Sequence, residues 1–316
     1  MSASHWMQQA VEAYKAVPHS SQRREELYND LLKLQKDSLD EIGKVQTPFD
    51  VSEVIENTVE IMSKVTLREA FFNLGFRVLN IPSYERIERH AQELTQKYPL
   101  SRMFGSVHMD SEGKVLSKTP AKDLNDLGSV SKRELYQSVS FEHQNSVISR
   151  ILPAIEVIMN EHSVSIYDFE TLSINNPFVK PGQEQLFAKG LFLGLKGEFD
   201  VSLSLLVPLL ESSLRYVLSQ SGVTVSTLNT HGVQEELRIG AILNHEASEK
   251  VFGKDILMDL NGLLLDRTYG NLRNIISHGL GDIGIFYSYS AIYLWWLIFR
   301  LFLTPHIEAL TKDIEK

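Results

Sequence analysis

Cysteine is absent from all 316 residues. Its absence excludes disulfides, thiolate zinc sites and cysteine nucleophiles, and it fits a reducing compartment, so the expected location is cytoplasmic. Glycine and proline are sparse, at 18 and 10 residues, which removes collagen-like and low-complexity readings. Positive charge is also short: 31 Lys and Arg against 40 Asp and Glu leave a net charge of −9. Gripping nucleic acid over a broad basic face takes many phosphate contacts, so that class is disfavoured. A small site acting on one phosphate needs only a few cations and stays open. The opening MSASHWMQQAVEAYK has no basic stretch followed by an apolar run, so no secretion signal is expected.

Several chemical signatures are missing as well. There is no G-x-x-x-x-G-K-[ST], no G-x-G-x-x-G after a strand and no G-x-S-x-G elbow, which argues against nucleotide hydrolysis and serine hydrolase chemistry. No H-E-x-x-H occurs, and His108, His143, His162, His231 and His245 have no metal-ligand spacing. They read as surface or internally satisfied histidines, and neither metal nor cofactor is expected. One run, Ile285 to Leu303, nearly reaches the length of a membrane span. Tyr287, Ser288, Tyr289, Ser290 and Arg300 interrupt it, so it reads as a buried core helix and no membrane contact is expected.

What is present is helical periodicity. Composition is that of a chain with a substantial core, 43% hydrophobic and 22% charged. The length favours two domains. Leu27, Leu31, Leu34 and Leu39 form one stripe in a helix predicted over Gln22 to Glu41. Asp50 reads as an N-cap for the next helix, and further amphipathic helices are expected over Thr66 to Phe76, Ser83 to Lys97 and Lys132 to Glu161. Between Met103 and Lys118, two β-rich runs flank Asp110-Ser111-Glu112-Gly113 and predict a β-hairpin. The loop NNPFVKPG, residues 175–182, is expected to end a helical N-terminal domain at 180. A second helical domain then covers 181–316, with a helix carrying Pro208, a polar linker SGVTVSTLNTHG, and helices over Val233 to Lys250 and Ile256 to Arg267.

The most informative segment is YGNLRNIISHGLGDIG, Tyr269 to Gly284. Arg273 and His278 lie near the end of a short predicted helix, with Gly279 placed as its C-terminal cap. A histidine in a last turn meets the negative end of the helix dipole, which favours its cationic form. The pair suits RNA cleavage without metal: a histidine base removes the 2′-hydroxyl proton, and a guanidinium stabilises the phosphorane that forms. Asn274 can orient the imidazole or the phosphate. The loose pattern of Arg separated from His by four to six residues also fits Arg102 with His108, Arg238 with His245, and Arg300 with His306. Of the four, Arg273 alone has Asn beside it and Gly after its His.

Arg-Asn, three residues, then His-Gly resembles the signature of HEPN ribonucleases (higher eukaryotes and prokaryotes nucleotide-binding). The phrases NPFVKPGQEQLFAKGLFLGLKGEFDVSLSLLVPLLESSLRYVL and NLRNIISHGLGDIGIFYSYSAIYLWWLIFRLFL resemble a bacterial HEPN-like family of unknown function. FGSVHMDSEGKVLSK and the preceding helices resemble it too, so the likeness covers nearly all the chain. It implies a mostly α fold: a helical N-terminal domain with one small β-hairpin, then a HEPN-like bundle that pairs with a second copy. It further implies an endoribonuclease of toxin or antiviral-defence type with RNA as substrate and an antitoxin or other defence protein as a possible partner. The catalytic set would be Arg273, Asn274 and His278, and Glu211 and Arg215, a turn apart, match a polar pair placed beside the motif. The alternative reading is a non-catalytic helical interaction or RNA-binding module, since LFAKGLFLGLKGEFDVSLSLLVP also resembles the small-large packing of helical-hairpin repeats.

Overall fold

The computed structural model describes residues 3–39, 50–98, 106–109, 115–119 and 130–311. The chain is mostly α-helical, as its periodicity predicts, and contacts group it into two units: residues 1–49 with 95–128, and residues 50–94 with 129–316. Residue 180, expected as a junction, lies within the second unit.

In the first unit, α1 (Ala3–Ala13) packs against α2 (Ser21–Leu39), burying Val11, Leu27 and Leu31 between them. Leu27 and Leu31 belong to the stripe read from the sequence. The expected hairpin pairs strands Ser106–Met109 and Val115–Thr119, with Ser106 opposite Thr119 and a register shift between His108 and Met109. Its Asp110–Gly113 turn lies outside the described residues.

The second unit begins with α3 (Ser52–Met62), where the Asp50 carboxylate accepts the Ser52 N–H at 3.0 Å. A Thr66/Glu69 capping box starts α4 (Leu67–Phe72), which widens into a π-turn at Asn73–Arg77; α5 spans Tyr84–Lys97. The long helix predicted over Lys132 to Glu161 is continuous but built of three parts: α6 (Lys132–Ser146), a π-turn (Val147–Ile151) and α7 (Leu152–Glu161). Pro153 explains the interruption. It has no N–H for the carbonyl of Ser149, and that carbonyl accepts the Thr58 hydroxyl at 3.1 Å instead.

There follow α8 (Ile166–Ser173), α9 (Glu184–Leu195), α10 (Phe199–Gln220), α11 (Ile239–Leu243), α12 (Glu246–Phe252), α13 (Lys254–Leu264), α14 (Leu272–Ser277), α15 (Ile283–Phe286), α16 (Tyr289–Leu303) and α17 (Ile307–Thr311). Two expectations change here. Ser226–Leu228 pairs with Gln234–Glu236 as a second short hairpin, where a polar linker and the start of a helix were expected. The helix predicted to reach Lys250 divides because His245 Nδ1 caps α12 by accepting the Ala247 N–H at 3.1 Å.

At the centre lies α16. Among the described residues two helices, α10 and the run beginning at Tyr289, are long and apolar enough to cross a membrane. Yet from Ala291 to Leu303 every residue of α16 except Arg300 is buried within the protein. A helix apolar on all sides belongs at such a centre, and each large buried side chain contributes on the order of 2 kcal/mol. Ser288 starts α16 by capping the Ala291 N–H, which is why the apolar run breaks just before it. Two of its polar side chains serve the adjoining π-turn and the residues just after it: Trp296 Nε1–H donates to Leu74 O at 2.8 Å, and Arg300 donates to Gly75 O at 2.7 Å and Leu79 O at 3.1 Å.

Close approach of α9 to α10 and α16 depends on two glycines. A Cβ at Gly190 would stand 2.7 Å from the Leu206 side chain, and one at Gly194 would stand 2.0 Å from the indole nitrogen of Trp295. Trp295 is fully buried and has nowhere to move. Gly194→Ala should therefore destabilise the protein by about 1–3 kcal/mol, lowering the urea midpoint without altering the denaturant slope. An unchanged midpoint would show that α9 can slide to make room.

Candidate functional site

The six-residue α14 is fixed before it starts. The Asp266 carboxylate accepts the backbone N–H groups of Thr268 and Tyr269 at 2.9 and 3.0 Å, closing a turn on α13. Gly270 then presses against the Leu263 carbonyl, where a Cβ would come within 2.2 Å, and Asn271 adopts a left-handed φ of 51°. Asparagine tolerates that conformation well, and the chain leaves it directly into α14. Leu272 is buried beneath the helix.

Past its end the helix closes as a Schellman motif. Leu280 N–H donates to Ile275 O at 2.9 Å and Gly279 N–H to Ile276 O at 3.3 Å, with Gly279 at a φ of 61°. The C-terminal cap read from the sequence is therefore in place. His278 occupies the C-cap position with its side chain exposed, and its ring nitrogens make no hydrogen bond among the described residues. Asn274 stands four residues earlier, half-buried, and its backbone carbonyl accepts the His278 N–H at 3.1 Å.

Arg273 points elsewhere. Its Nε–H donates to Glu211 Oε2 at 3.4 Å on α10. The other carboxylate oxygen of Glu211 accepts Arg215 Nη2–H at 3.1 Å and the Ile239 N–H at 3.2 Å. Arg215 in turn donates through Nε and Nη2 to the Leu237 carbonyl, both at 3.1 Å, and lies 3.6 Å from Glu236. One carboxylate thus sits between two guanidinium groups and a backbone N–H. The Glu211 side chain is 15% exposed, Arg215 20% and Arg273 31%, so the glutamate is the inner member and Arg273 the one nearest solvent. Both Nη groups of Arg273 are without a hydrogen bond among the described residues.

The structure therefore joins Arg273, Glu211 and Arg215, three of the five residues singled out in the sequence. Asn274 and His278 share one side of α14, being four residues apart. Arg273 and His278, five apart, are separated by about 140° around the helix axis, and no hydrogen bond links them. Residues that no sequence pattern marked complete the cluster: the Leu237 carbonyl and the Ile239 N–H are backbone groups at the exit of the second hairpin, and backbone groups carry no signature.

The other Arg/His pairs have different duties. Arg300 is spent on the carbonyls of the π-turn, between the rings of Phe76 and Trp296 at 5.0 and 5.7 Å. His306 Nε2 lies 2.9 Å from Leu172 O and 3.2 Å from Asn176 Nδ2. Arg238 precedes α11, and His245 caps α12. Arg102 lies outside the described residues. Among the described residues no group of three His, Asp or Glu is arranged to hold a metal ion.

A buried polar cluster lies under the same turn. His143 and Asp259 have no solvent exposure, and the imidazole Nε2 stands 3.1 Å from the carboxylate. Tyr293 donates its hydroxyl to the second carboxylate oxygen at 2.9 Å, and the Tyr269 hydroxyl meets His143 Nδ1. His143 is thus internally satisfied. Burial, reinforced by the charge of Asp259, holds the Tyr269 and Tyr293 hydroxyls well above the ordinary tyrosine range, and burial pushes Tyr136 up to about 12. A raised folded-state value makes the neutral phenol a source of stability that is fully present below the unfolded value and lost as pH rises through the folded one.

Two outcomes follow. Stability should hold up to about pH 10 and fall steeply above it, with tyrosinate absorbance from these buried rings appearing together with loss of helical circular dichroism; ionisation of all eleven tyrosines before any unfolding would refute the buried assignment. Glu211→Ala should destabilise by about 1–3 kcal/mol through the unpaired Ile239 N–H and loosened arginines, measured by urea denaturation. Comparison with protein-family models, with curated proteins and with solved structures gave no match for this chain.

Proposed function

We propose that this protein is a metal-independent endoribonuclease of HEPN type, acting as a toxin or antiviral-defence effector. One observation carries the reading. Arg273 is tethered through Nε alone, leaving both Nη groups for an anion, on a short helix whose last side chain, His278, is exposed and unengaged. A fork with one tine anchored is oriented and still able to bind phosphate oxygens in pairs.

In this reading His278 takes the proton from the ribose 2′-hydroxyl, and the 2′-oxygen attacks the adjacent phosphorus. Arg273 stabilises the added negative charge on the phosphorane. The bond to the 5′-oxygen then breaks, that oxygen takes up a proton, and the products are a 2′,3′-cyclic phosphate and a 5′-hydroxyl. Asn274, on the same side of α14 as His278, orients the imidazole or the phosphate. Glu211 and Arg215 hold Arg273 in place.

The angular separation of Arg273 and His278 favours a site shared between two copies, with the arginine of one chain opposite the histidine of another. Beyond His278 the chain exposes Leu280, Ile283 and Tyr287, apolar surface that a homodimer would cover. An antitoxin or other defence-system protein masking the same surface would silence the activity.

The test is cleavage of total cellular RNA in EDTA by wild type, Arg273→Ala and His278→Ala, with product ends analysed. Wild type should leave cyclic phosphate ends, and each substitution should slow cleavage by about 100-fold or more with circular dichroism and oligomeric state unchanged. Cleavage that survives both substitutions would remove Arg273 and His278 from catalysis, and a wild type that cuts no RNA and yet arrests growth equally with either substitution would favour a non-catalytic helical interaction or RNA-binding module.

A further inference from the structure

The Asp259 cluster is costly to bury, and a set of leucine and phenylalanine side chains would fill its volume at lower cost. What hydrogen bonds supply and apolar packing does not is a single permitted arrangement. With the imidazole proton on Nε2, every donor finds one acceptor: Tyr269 O–H to His143 Nδ1, His143 Nε2–H to Asp259 Oδ1, and Tyr293 O–H to Asp259 Oδ2. Ring contacts hold the same chain from the sides, with His143 stacked on Tyr293 at 3.5 Å between centroids and Tyr269 stacked on Tyr136 at 6.2 Å.

Three of the four members are on long helices: His143 on α6, Asp259 on α13 and Tyr293 on α16. Tyr269 is not. It belongs to the turn that launches α14, four residues before Arg273. The two residues after it leave little freedom, since Gly270 is pressed against the Leu263 carbonyl and Asn271 is left-handed. Moving the Tyr269 ring therefore moves the start of α14, and with it the guanidinium.

We propose that Tyr269 is a positioning residue for Arg273, and that His143, Asp259 and Tyr293 act through its hydroxyl to fix where α14 begins. The cluster is a rigid mount connecting three core helices to the functional turn. The inference rests on Arg273 being a working residue, as in the ribonuclease reading, but the mechanical link to α14 can be measured without activity.

Tyr269→Phe removes one oxygen and keeps the ring and its stacking. Hydrogen exchange followed by NMR should show the amides of residues 275–280 exchanging about tenfold faster, the loss expected for one hydrogen bond, while α10 and α16 keep their protection. The Arg273 Nε–H resonance should shift. In the RNA assay kcat should fall about tenfold with KM unchanged, the pattern of a displaced transition-state contact. Asp259→Asn, which keeps the volume and withdraws the charge, should produce the same local loosening, and combining it with Tyr269→Phe should add little because both act on one chain of bonds.

Unchanged exchange at 275–280, or loosening spread evenly over α10 and α16 in both variants, would overturn the proposal. Should local loosening occur in a protein whose wild type cleaves no RNA, the mount stands and the ribonuclease reading falls. Should wild type cleave RNA and Tyr269→Phe cleave it with the same kcat, the ribonuclease stands and the mount does not.

Discussion

Everything in the larger unit answers to the burial of α16. A helix that is apolar around its whole circumference has to be covered on every side, and α6, α9, α10, α13 and the π-turn after α4 all lie against it. Covering it so closely demands small residues where helices meet, which is the service of Gly190 and Gly194. Three of the polar side chains of α16 are met in the core, while the buried Trp295 Nε1 has no hydrogen-bond partner among the described residues. Arg300 and Trp296 find the carbonyls that a π-turn leaves unpaired, and Tyr293 finds Asp259. Irregularity in one helix is thus satisfied by donors from another, and this makes the two features a single unit of structure.

The candidate site is placed by that core without being part of it. Its working helix is only six residues long, too short to hold itself in water. It is held by the Asp266 turn and Tyr269 at its start, by Leu272 beneath and by Glu211 on α10 at its side, and its own Schellman closure ends it. The arrangement leaves rigid backbone carrying two side chains, Arg273 and His278, that are not used up in holding it. For the proposed chemistry this is the useful division, since a group fully consumed by structural bonds cannot also bind a phosphate.

Electrostatics within the cluster follow the same division. Glu211 is the least exposed member and shares its two oxygens among three donors, so neither arginine has it alone. Arg215 is closed off by the Leu237 carbonyl and Glu236, and the donors left without a partner among the described residues are the Nη groups of Arg273. With Glu236 beside Arg215, two carboxylates match two guanidinium groups, and a cluster without excess charge on a chain of net charge −9 does not suit extended binding to a polyanion.

Much of this was legible in the sequence. Helical periodicity gave the mostly α fold, the Asp-Ser-Glu-Gly turn announced the first hairpin, and Gly279 announced the end of α14, because spacing and turn chemistry act over a few residues. The capacity of Pro153 to break regular hydrogen bonding was visible too, but its consequence, a π-turn satisfied by Thr58, required a residue 95 positions away to be adjacent. The short second hairpin was hidden because its strands are only three residues long and exposed, with no alternation to reveal them. Asp259 and Tyr293 stood as polar interruptions in apolar runs, yet nothing local tied them to His143. Sequence by itself determined that the chain is mostly helical and which arginine-histidine pair stands out. Tertiary structure alone decided that Glu211 would be shared between Arg215 and Arg273, that Arg300 would be spent in the core and that Tyr269 would meet His143, because each depends on contacts between elements far apart in the chain, and local propensity carries no information about those.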